Sequence, residues 1–448
     1  MAFALFVAAW VARYLGRELY GVYNYGLAFV GLFAPLAYLG LQSMVVRELV
    51  REPGARDEIL GTTFVLRLAG GAVCAVLAIA AVSIVRSGDE LVRMVTWIVA
   101  GMLVFQPMET VDLWFQSQVR SKYTVLAKSG AMVIGYALRI AAVLAGASVV
   151  VFAGISVADS VLAGVFLLAA YRISGLRIAR WTFSWSRARS LLSESWALVI
   201  SGALAVVYFK IDQVMLGEMV SEEEVGVYST AVRLSEVWYF IPVAITTSVF
   251  PALIRSRDRG IEVYHRRLQQ LYDFYAWLAL LVAVFFTFAS RWVIVLVFGE
   301  QYSAAGPILA LHIWSGVFIF LKVALSSWLL NESRLKFLFL SSGLGAAVNV
   351  GLNLWLIPAY GGMGAAVATI ASYACAGWLA CFLYRPAWLA GWMITKALVV
   401  PLRAAAALPG RLMGRGGGED EGEKSEADGG GNGKEDGGGR ESEDEDDE

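Results

Sequence analysis

The chain is short of charge. Charged residues make up 16% of its 448 positions, well below the roughly 25% of a soluble domain. Hydrophobic residues make up 58%, and the mean hydropathy is +0.64. So few charges cannot cover that much apolar surface in water. This argues against a nucleic-acid binder or a cytosolic enzyme and for an integral membrane protein. Cysteine is scarce as well. Cys74, Cys375 and Cys381 all sit in apolar runs without metal-ligand spacing, and read as small buried hydrophobes. Histidine is limited to His265 and His312, neither near a cluster of ligands, and no GxxxxGK[ST] phosphate loop occurs. The residues imply no metal and no cofactor. The N-terminus lacks the basic leader of a signal peptide. Its apolar run of about 11 residues is also short of the ~20 that a membrane helix needs.

What the chain has is a series of apolar runs long enough to cross a bilayer. They lie near 1–13 (short), 22–45, 60–85, 92–115, 126–146, 149–171, 195–217, 225–252, 270–290, 305–330, 335–357 and 362–384. The expected fold is therefore an all-α polytopic membrane protein of about twelve transmembrane helices, with an N-terminal part at 1–194 and a C-terminal part at 195–385. Connections are too short to hold a soluble domain or a large catalytic loop.

The formal net charge of −1 hides a split. Residues 411–448 hold 5 Lys/Arg and 15 Asp/Glu, so the tail is a polyanion and the body is basic. One set of loops, with Arg47, Arg51, Arg56, Arg120, Lys122, Lys128, Arg172, Arg177, Arg180, Arg187, Arg189, Arg255, Arg257, Arg259, Arg266, Arg267, Arg334 and Lys336, carries 18 basic residues. The alternate set, with Arg13, Arg17, Arg86, Arg93 and Arg291, carries 5. The positive-inside rule places both termini in the cytoplasm of a cell membrane. Residues 386–410 read as a cytoplasmic interfacial segment, with a thirteenth span as the alternative. The Gly-rich acidic tail, 411–448, reads as disordered.

A repeat is visible. Leu15-Gly16 followed by Gly21-Val22-Tyr23 matches Leu216-Gly217 followed by Gly226-Val227-Tyr228, each between the first and second spans of a six-span half. Chance is the alternative, since both motifs are common in apolar sequence. The first helix is short by roughly ten residues against its partner, so a misassigned start or a truncation is the expectation.

Charges inside spans cost about 2.5–3.5 kcal/mol each on the insertion scale and need a cavity or a partner. The candidates are Arg67, Glu109, Asp112, Arg139, Asp159, Lys210, Asp212, Arg233, Glu236 and Lys322, expected to line an interior cavity between the lobes. Each has a plainer reading. Arg139 could snorkel, and Asp159 could pair locally. Arg233 and Glu236, three apart, could neutralise each other. Glu109 and Asp112, just after Pro107, could hold a cation, or could sit at the cytoplasmic interface facing Arg120 and Lys122. Lys210 and Asp212 are two apart and cannot share a helix face. Asn331, Asn349 and Asn353 read first as interhelical glue.

Several runs together resemble a known family. Ala12-Arg13-Tyr14-Leu15-Gly16 with Tyr20-Gly21-Val22-Tyr23-Asn24-Tyr25 is similar to the first hairpin of the polysaccharide (O-antigen type) flippases. Gly40-Leu41, the VVRELVREP run at 45–53 and the DEILGTTFVLRLAGG run at 57–71 continue the match. Lys210-Ile211-Asp212-Gln213-Val214-Met215-Leu216-Gly217 resembles the family's seventh span. The stretch from Asn349 and Asn353 through Ile357-Pro358 and Tyr360-Gly361-Gly362-Met363-Gly364-Ala365-Ala366 resembles its eleventh-to-twelfth hairpin. The short first helix and the acidic tail depart from the pattern.

The resemblance implies two six-helix lobes around a central cavity and alternating access, with a polyprenyl-diphosphate-linked oligosaccharide moved between leaflets for surface polysaccharide biosynthesis. It implies as partners that lipid-linked substrate, the membrane lipids, and a polysaccharide polymerase with chain-length machinery. Arg67, Lys210, Arg233 and Lys322 are the expected headgroup contacts. Asp212, with Glu109, Asp112 and Glu236, is the expected coupling-ion or counter-charge set. A cation-coupled drug antiporter of the same superfamily is the alternative, and a membrane-embedded polymerase or glycosyltransferase the second.

Overall fold

The structure is a computed structural model and describes residues 2–332 and 335–399. The acidic tail 411–448, residues 400–410 of the expected interfacial segment, and Arg334 lie outside the described residues, as do the side chains of Asn331 and Lys336.

Among the described residues all regular structure is helical. The helices are α1 (Ala2–Gly31), α2 (Ala34–Tyr38), α3 (Gln42–Arg51), α4 (Arg56–Val85), α5 (Glu90–Phe105), α6 (Thr110–Ser117), α7 (Ser121–Leu144) and α8 (Val149–Ile173). They continue with α9 (Trp185–Met219), α10 (Glu222–Glu236), α11 (Phe240–Arg255), α12 (Ile261–Phe298), α13 (Ala305–His312), α14 (Ser315–Asn331), α15 (Leu335–Gly377) and α16 (Trp388–Leu398). Helix is what this composition demands. In hydrocarbon a backbone must satisfy its own N–H and C=O groups. The outer faces are apolar, with Val73, Val76, Leu77 and Ile84 exposed on α4, and Leu281, Phe285, Phe288 and Trp292 on α12.

Among the described residues, ten helical segments are long and apolar enough to span a membrane, against about twelve expected. The difference lies in two that fold back on themselves. α1 breaks at Gly16 (φ 74°) and α15 at Gly361 (φ 53°). A side chain is disfavoured in that left-handed region and glycine is not. Ala4 and Leu27 of α1 consequently line the same cavity. Across the second hairpin the Ser372 hydroxyl donates to the Gly345 carbonyl at 2.8 Å.

Local chemistry marks other boundaries. Asp89 caps α5 by accepting from the Val92 N–H at 3.0 Å, and Ser221 caps α10 by accepting from the Glu224 N–H at 3.2 Å. Glu222, Glu223 and Glu224 in the first turn of α10 also suit its dipole. Pro107 interrupts the fourth span, separating α5 from α6 by a turn of 3₁₀ helix. The described part of the expected interfacial segment includes α16, whose 11 residues are about half a membrane crossing. It lies along α12, where Gln269 donates to the Met393 carbonyl at 3.0 Å.

Candidate functional site

Both arms of α1 meet α9 and α10 around a cavity of about 420 Å³. α9 contributes Lys210 and Gln213, three apart and so on one face. α10 contributes Ser229, Arg233 and Glu236, four and three apart and so also on one face, and α1 contributes Asn24. Ala4, Leu5, Leu27 and Val232 supply apolar wall. Two cations and one carboxylate therefore share a partly enclosed space between the two halves of the chain. Among the described residues, no carboxylate forms an ion pair with Lys210 or Arg233, Glu236 included.

A second cavity of about 310 Å³ lies beside the first, and Ala4, Leu27 and Arg233 line both. Its polar wall is Tyr20, Tyr23, Tyr136, Arg139, Ser156 and Asp159. The Arg139 guanidinium meets Asp159 at 2.7 Å, joining α7 to α8. Tyr23 and Ser156 share a hydrogen bond of 2.7 Å. The charged candidates drawn from sequence include Arg139 and Asp159 of this wall and omit Tyr20, Tyr23, Tyr136 and Ser156. The usable signal was an opposite-charge pair, Arg139 and Asp159, deep in consecutive spans.

Asp212 faces away from the first cavity. Its carboxylate is buried and accepts hydrogen bonds from Tyr228 (2.8 Å), from Asn353 Nδ2 (2.6 Å) and from the Thr369 hydroxyl. Asn353 also donates to Asn349 Oδ1 at 3.1 Å. α9, α10 and both arms of α15 converge here, and no described cation pairs with the carboxylate. Among the described residues, neither Asn349 Nδ2 nor Asn353 Oδ1 has a hydrogen-bond partner.

The remaining candidates lie elsewhere. Glu109 and Asp112 meet Lys128 at 3.2 and 2.8 Å, and Thr124 donates to Asp112 at 2.6 Å. Their partner is thus Lys128 rather than Arg120 or Lys122. Thr124 and Lys128 are four apart on α7, so both present to the same acids. Arg67 is buried under the Tyr38 ring, 5.5 Å from its centroid, and its Nε lacks a partner among the described residues. Lys322 donates to the Tyr208 hydroxyl at 2.7 Å and lies 4.5 Å from that ring's centroid. The deep charges do not share one cavity, because helix phase turns neighbours such as Lys210 and Asp212 in different directions.

One end of the bundle is sealed between the two halves. Arg17 pairs with Glu223 at 3.0 Å, and Arg86 with Glu218 and Glu222 at 2.9 and 2.8 Å. Arg86 also donates to the Gly217 carbonyl, and Tyr25 to Glu218. Arg13 donates to the carbonyls of Val297 (3.0 Å) and Leu296 (2.6 Å), and Tyr302 donates to that of Ala12 at 2.9 Å. Beneath these, the two copies of the Gly-Val-Tyr motif meet each other. A Cβ on Gly21 would strike the Glu222 carbonyl, and one on Gly226 would strike the Arg17 carbonyl. Each obstacle lies four residues before the partner glycine, the signature of a two-fold crossing. Tyr23 and Tyr228 extend the correspondence, bonding Ser156 of α8 and, at 3.4 Å, Thr369 of α15.

Comparison with known proteins agrees with this architecture. The model of a family described as polysaccharide biosynthesis protein matches residues 1–257. The chain is 25% identical over 226 residues to the probable low-salt glycan biosynthesis flippase Agl15 of Haloferax volcanii. That alignment covers 48% of this chain and 46% of the relative, so the chain spans about half the length of the curated relative it matches. A multidrug resistance MATE family transporter of the MOP superfamily, in its inward-facing conformation, superposes with a TM-score of 0.68 at 15% identity, covering 89% of this chain and 94% of that one. Lipid II flippase MurJ, in an inward closed conformation, superposes with a TM-score of 0.68 at 13% identity, covering 89% and 88%. At these identities the likeness is one of fold.

Proposed function

The chain belongs to the polysaccharide biosynthesis protein family, and on that premise we propose that it is a flippase. Its cargo in this reading is a polyprenyl-diphosphate-linked oligosaccharide, carried across the cytoplasmic membrane by alternating access. The observation that carries the reading is the pairing of Lys210 with Arg233 in the cavity where the two halves meet. Charge inside a membrane protein is expensive and calls for a partner. A diphosphate offers one, because guanidinium and ammonium groups make short, charge-assisted hydrogen bonds to phosphate oxygens. Glu236, on the same wall, moderates the field so that cargo can leave. A drug antiporter handling cations would be served better by an acid-dominated cavity; here cations outnumber the single acid.

Transport needs no bond of the cargo to break. The sealed end carries few basic loop residues, and the opposite end carries most of them. The positive-inside rule then makes the sealed end the outer one and puts both termini in the cytoplasm. In this conformation cargo enters from the cytoplasmic leaflet. Outward release requires the Gly21–Gly226 crossing and the Arg17 and Arg86 pairs to part. The cluster of Asp212, Thr369, Asn349 and Asn353 offers hard oxygen donors, suited to a coupling proton or small cation. Arg67, Lys322, Glu109 and Asp112 line neither cavity and take no part in headgroup binding in this conformation. A polymerase with chain-length machinery would consume the delivered product.

Reconstitution in vesicles with a lipid-linked oligosaccharide tests the reading. The double variant Lys210→Gln/Arg233→Gln removes two charged hydrogen-bonding groups, each worth about 1.5–3 kcal/mol. Translocation should fall by roughly a hundredfold or more. Wild-type rates from that variant at equal protein level would overturn the headgroup assignment.

A further inference from the structure

A groove of about 510 Å³ lies between α11 and α12 and shares no residue with either cavity. α12 contributes Arg267, Gln270, Leu271 and Phe274, all on one helical face. α11 contributes Ile245, Val249, Ala252 and Leu253. The two helices are consecutive spans joined by a short turn, so they run in opposite directions. Arg267 and Gln270 therefore sit at the end of the groove near the basic connection, and Phe274 and Ile245 lie deeper. From Arg267 to Phe274 the helix rises about 10 Å, against roughly 15 Å for half of the hydrocarbon core. The connection itself is cationic, with five arginines in residues 255–267 against Asp258 and Glu262. Arg257 is engaged, pairing with Glu332 at 2.8 Å. Among the described residues, Arg267 and Gln270 have no hydrogen-bond or ion-pair partner. A cationic mouth above an apolar floor has the profile of a phospholipid with an anionic headgroup.

We propose that this groove binds one anionic phospholipid of the cytoplasmic leaflet, and that the lipid braces α11. Its phosphate lies on Arg267 and Gln270, and an acyl chain runs along Leu271, Phe274 and the facing side of α11. A chain fits where a helix does not. A groove of that volume and length has a cross-section of roughly 50 Å², below the roughly 80 Å² of a helix 10 Å across. α11 is in need of a brace. Of its 16 residues, Pro242, Thr246 and Leu253 are buried. Pro251 deprives the Thr247 carbonyl of its helical hydrogen bond. The hydroxyls of Thr247 and Ser248 both donate to the Ala244 carbonyl, at 2.8 and 3.1 Å, and such back-bonding bends helices. The helix is thus soft beside the groove. Through the turn Val237–Tyr239 it continues α10, which carries Arg233 and Glu236 of the first cavity. A lipid seated in the groove therefore steadies the span that forms one wall of that cavity.

The test is a titration of the full chain, delipidated in a neutral detergent, with phosphatidylglycerol or phosphatidylcholine, the bound lipids being counted by native mass spectrometry. In the wild type one phosphatidylglycerol should bind saturably and about tenfold more tightly than phosphatidylcholine, the size of one hydrogen bond to a charged group. Arg267→Gln should cut that preference to roughly threefold or less. Arg266→Gln removes the same charge from an exposed neighbour outside the groove and should leave the preference intact. Ala252→Phe, at an exposed position of the floor, should weaken both lipids about tenfold or more, and it decides the matter if Arg267→Gln fails to fold. Hydrogen exchange across residues 245–255 should slow on binding in the wild type and not in Ala252→Phe. Equal losses in the two arginine variants overturn the site in favour of diffuse surface charge. Binding without headgroup preference, or a preference and affinity that survive in a folded groove variant, overturns it as well. Exchange that does not slow overturns the brace. A dimer that Ala252→Phe dissolves and phosphatidylglycerol does not displace gives the groove to a second copy of the chain and overturns the lipid.

Discussion

Replacing Gly21 by alanine probes the seam between the two halves. The added Cβ would sit 2.6 Å from the Glu222 carbonyl carbon and 3.0 Å from the Gly226 nitrogen. Carbon contacts are comfortable near 3.5–4.0 Å and the Glu222 carbonyl oxygen lies nearer still than its carbon, so α1 and α10 must separate by more than about 1 Å. The obstacle is backbone, which has no rotamer to yield. Overpacking of this kind costs about 1–3 kcal/mol. The cost falls only on the state in which the helices cross, so it becomes a population shift of roughly 5- to 150-fold toward separation. Gly226→Ala should do the same through the Arg17 carbonyl. The double variant should cost less than the sum, because the first substitution has already parted the helices. Spin labels at Ser87→Cys and Val220→Cys, with the three native cysteines replaced, flank the seam and report its width. Gly21→Ala should move a large fraction of the distance distribution to longer values. An unchanged distribution in both single variants would refute the reasoning.

Other outcomes follow from the same contacts. Arg86→Ala strips Glu218 and Glu222 of a shared partner; the seam should widen, with a cost of about 1–3 kcal/mol, read with the same labels and partly masked in Arg17→Ala, which loosens the neighbouring pair. Asp212→Asn keeps the shape of its site but removes the charge three donors are built around; transport should lose its dependence on the coupling ion, while binding of the lipid-linked oligosaccharide stays within about twofold. At the basic end, the hydrogen bond from Arg187 holds the Glu52 carboxyl below the usual carboxylate range. Its contribution is therefore present above the unfolded pKa and lost as pH falls through the depressed one. Glu52→Gln should lower the melting temperature slightly at neutral pH and not at all in strong acid, as acid-scanned thermal unfolding would reveal.

Much of the fold was legible because a bilayer makes simple demands. Apolar runs had to become helices, and the skew of basic residues between alternate loops ordered their crossings. The Gly-Val-Tyr motifs announced a relation between halves. Individual charges were less legible. Lys210 and Asp212 sit two residues apart, and the phase of α9 sends one into the cavity and the other into a cluster built from α10 and α15. Glu109 and Asp112 found Lys128 because α7 packs with that face inward. Arg139 and Asp159 each had a plain local reading, and only packing α7 on α8 gave them a shared cavity.

By itself, then, the sequence determined that this protein lives in a membrane and is helical. Those properties depend on composition and on local periodicity, which a linear reading contains in full. Tertiary structure decided which buried charges meet. It paired Arg139 with Asp159, left Lys210 and Arg233 without a described counter-ion, and set Gly21 against Gly226 across the seam. Those outcomes depend on the rotation of each helix about its axis and on the distance to its neighbour, which are settled only when all the helices pack at once.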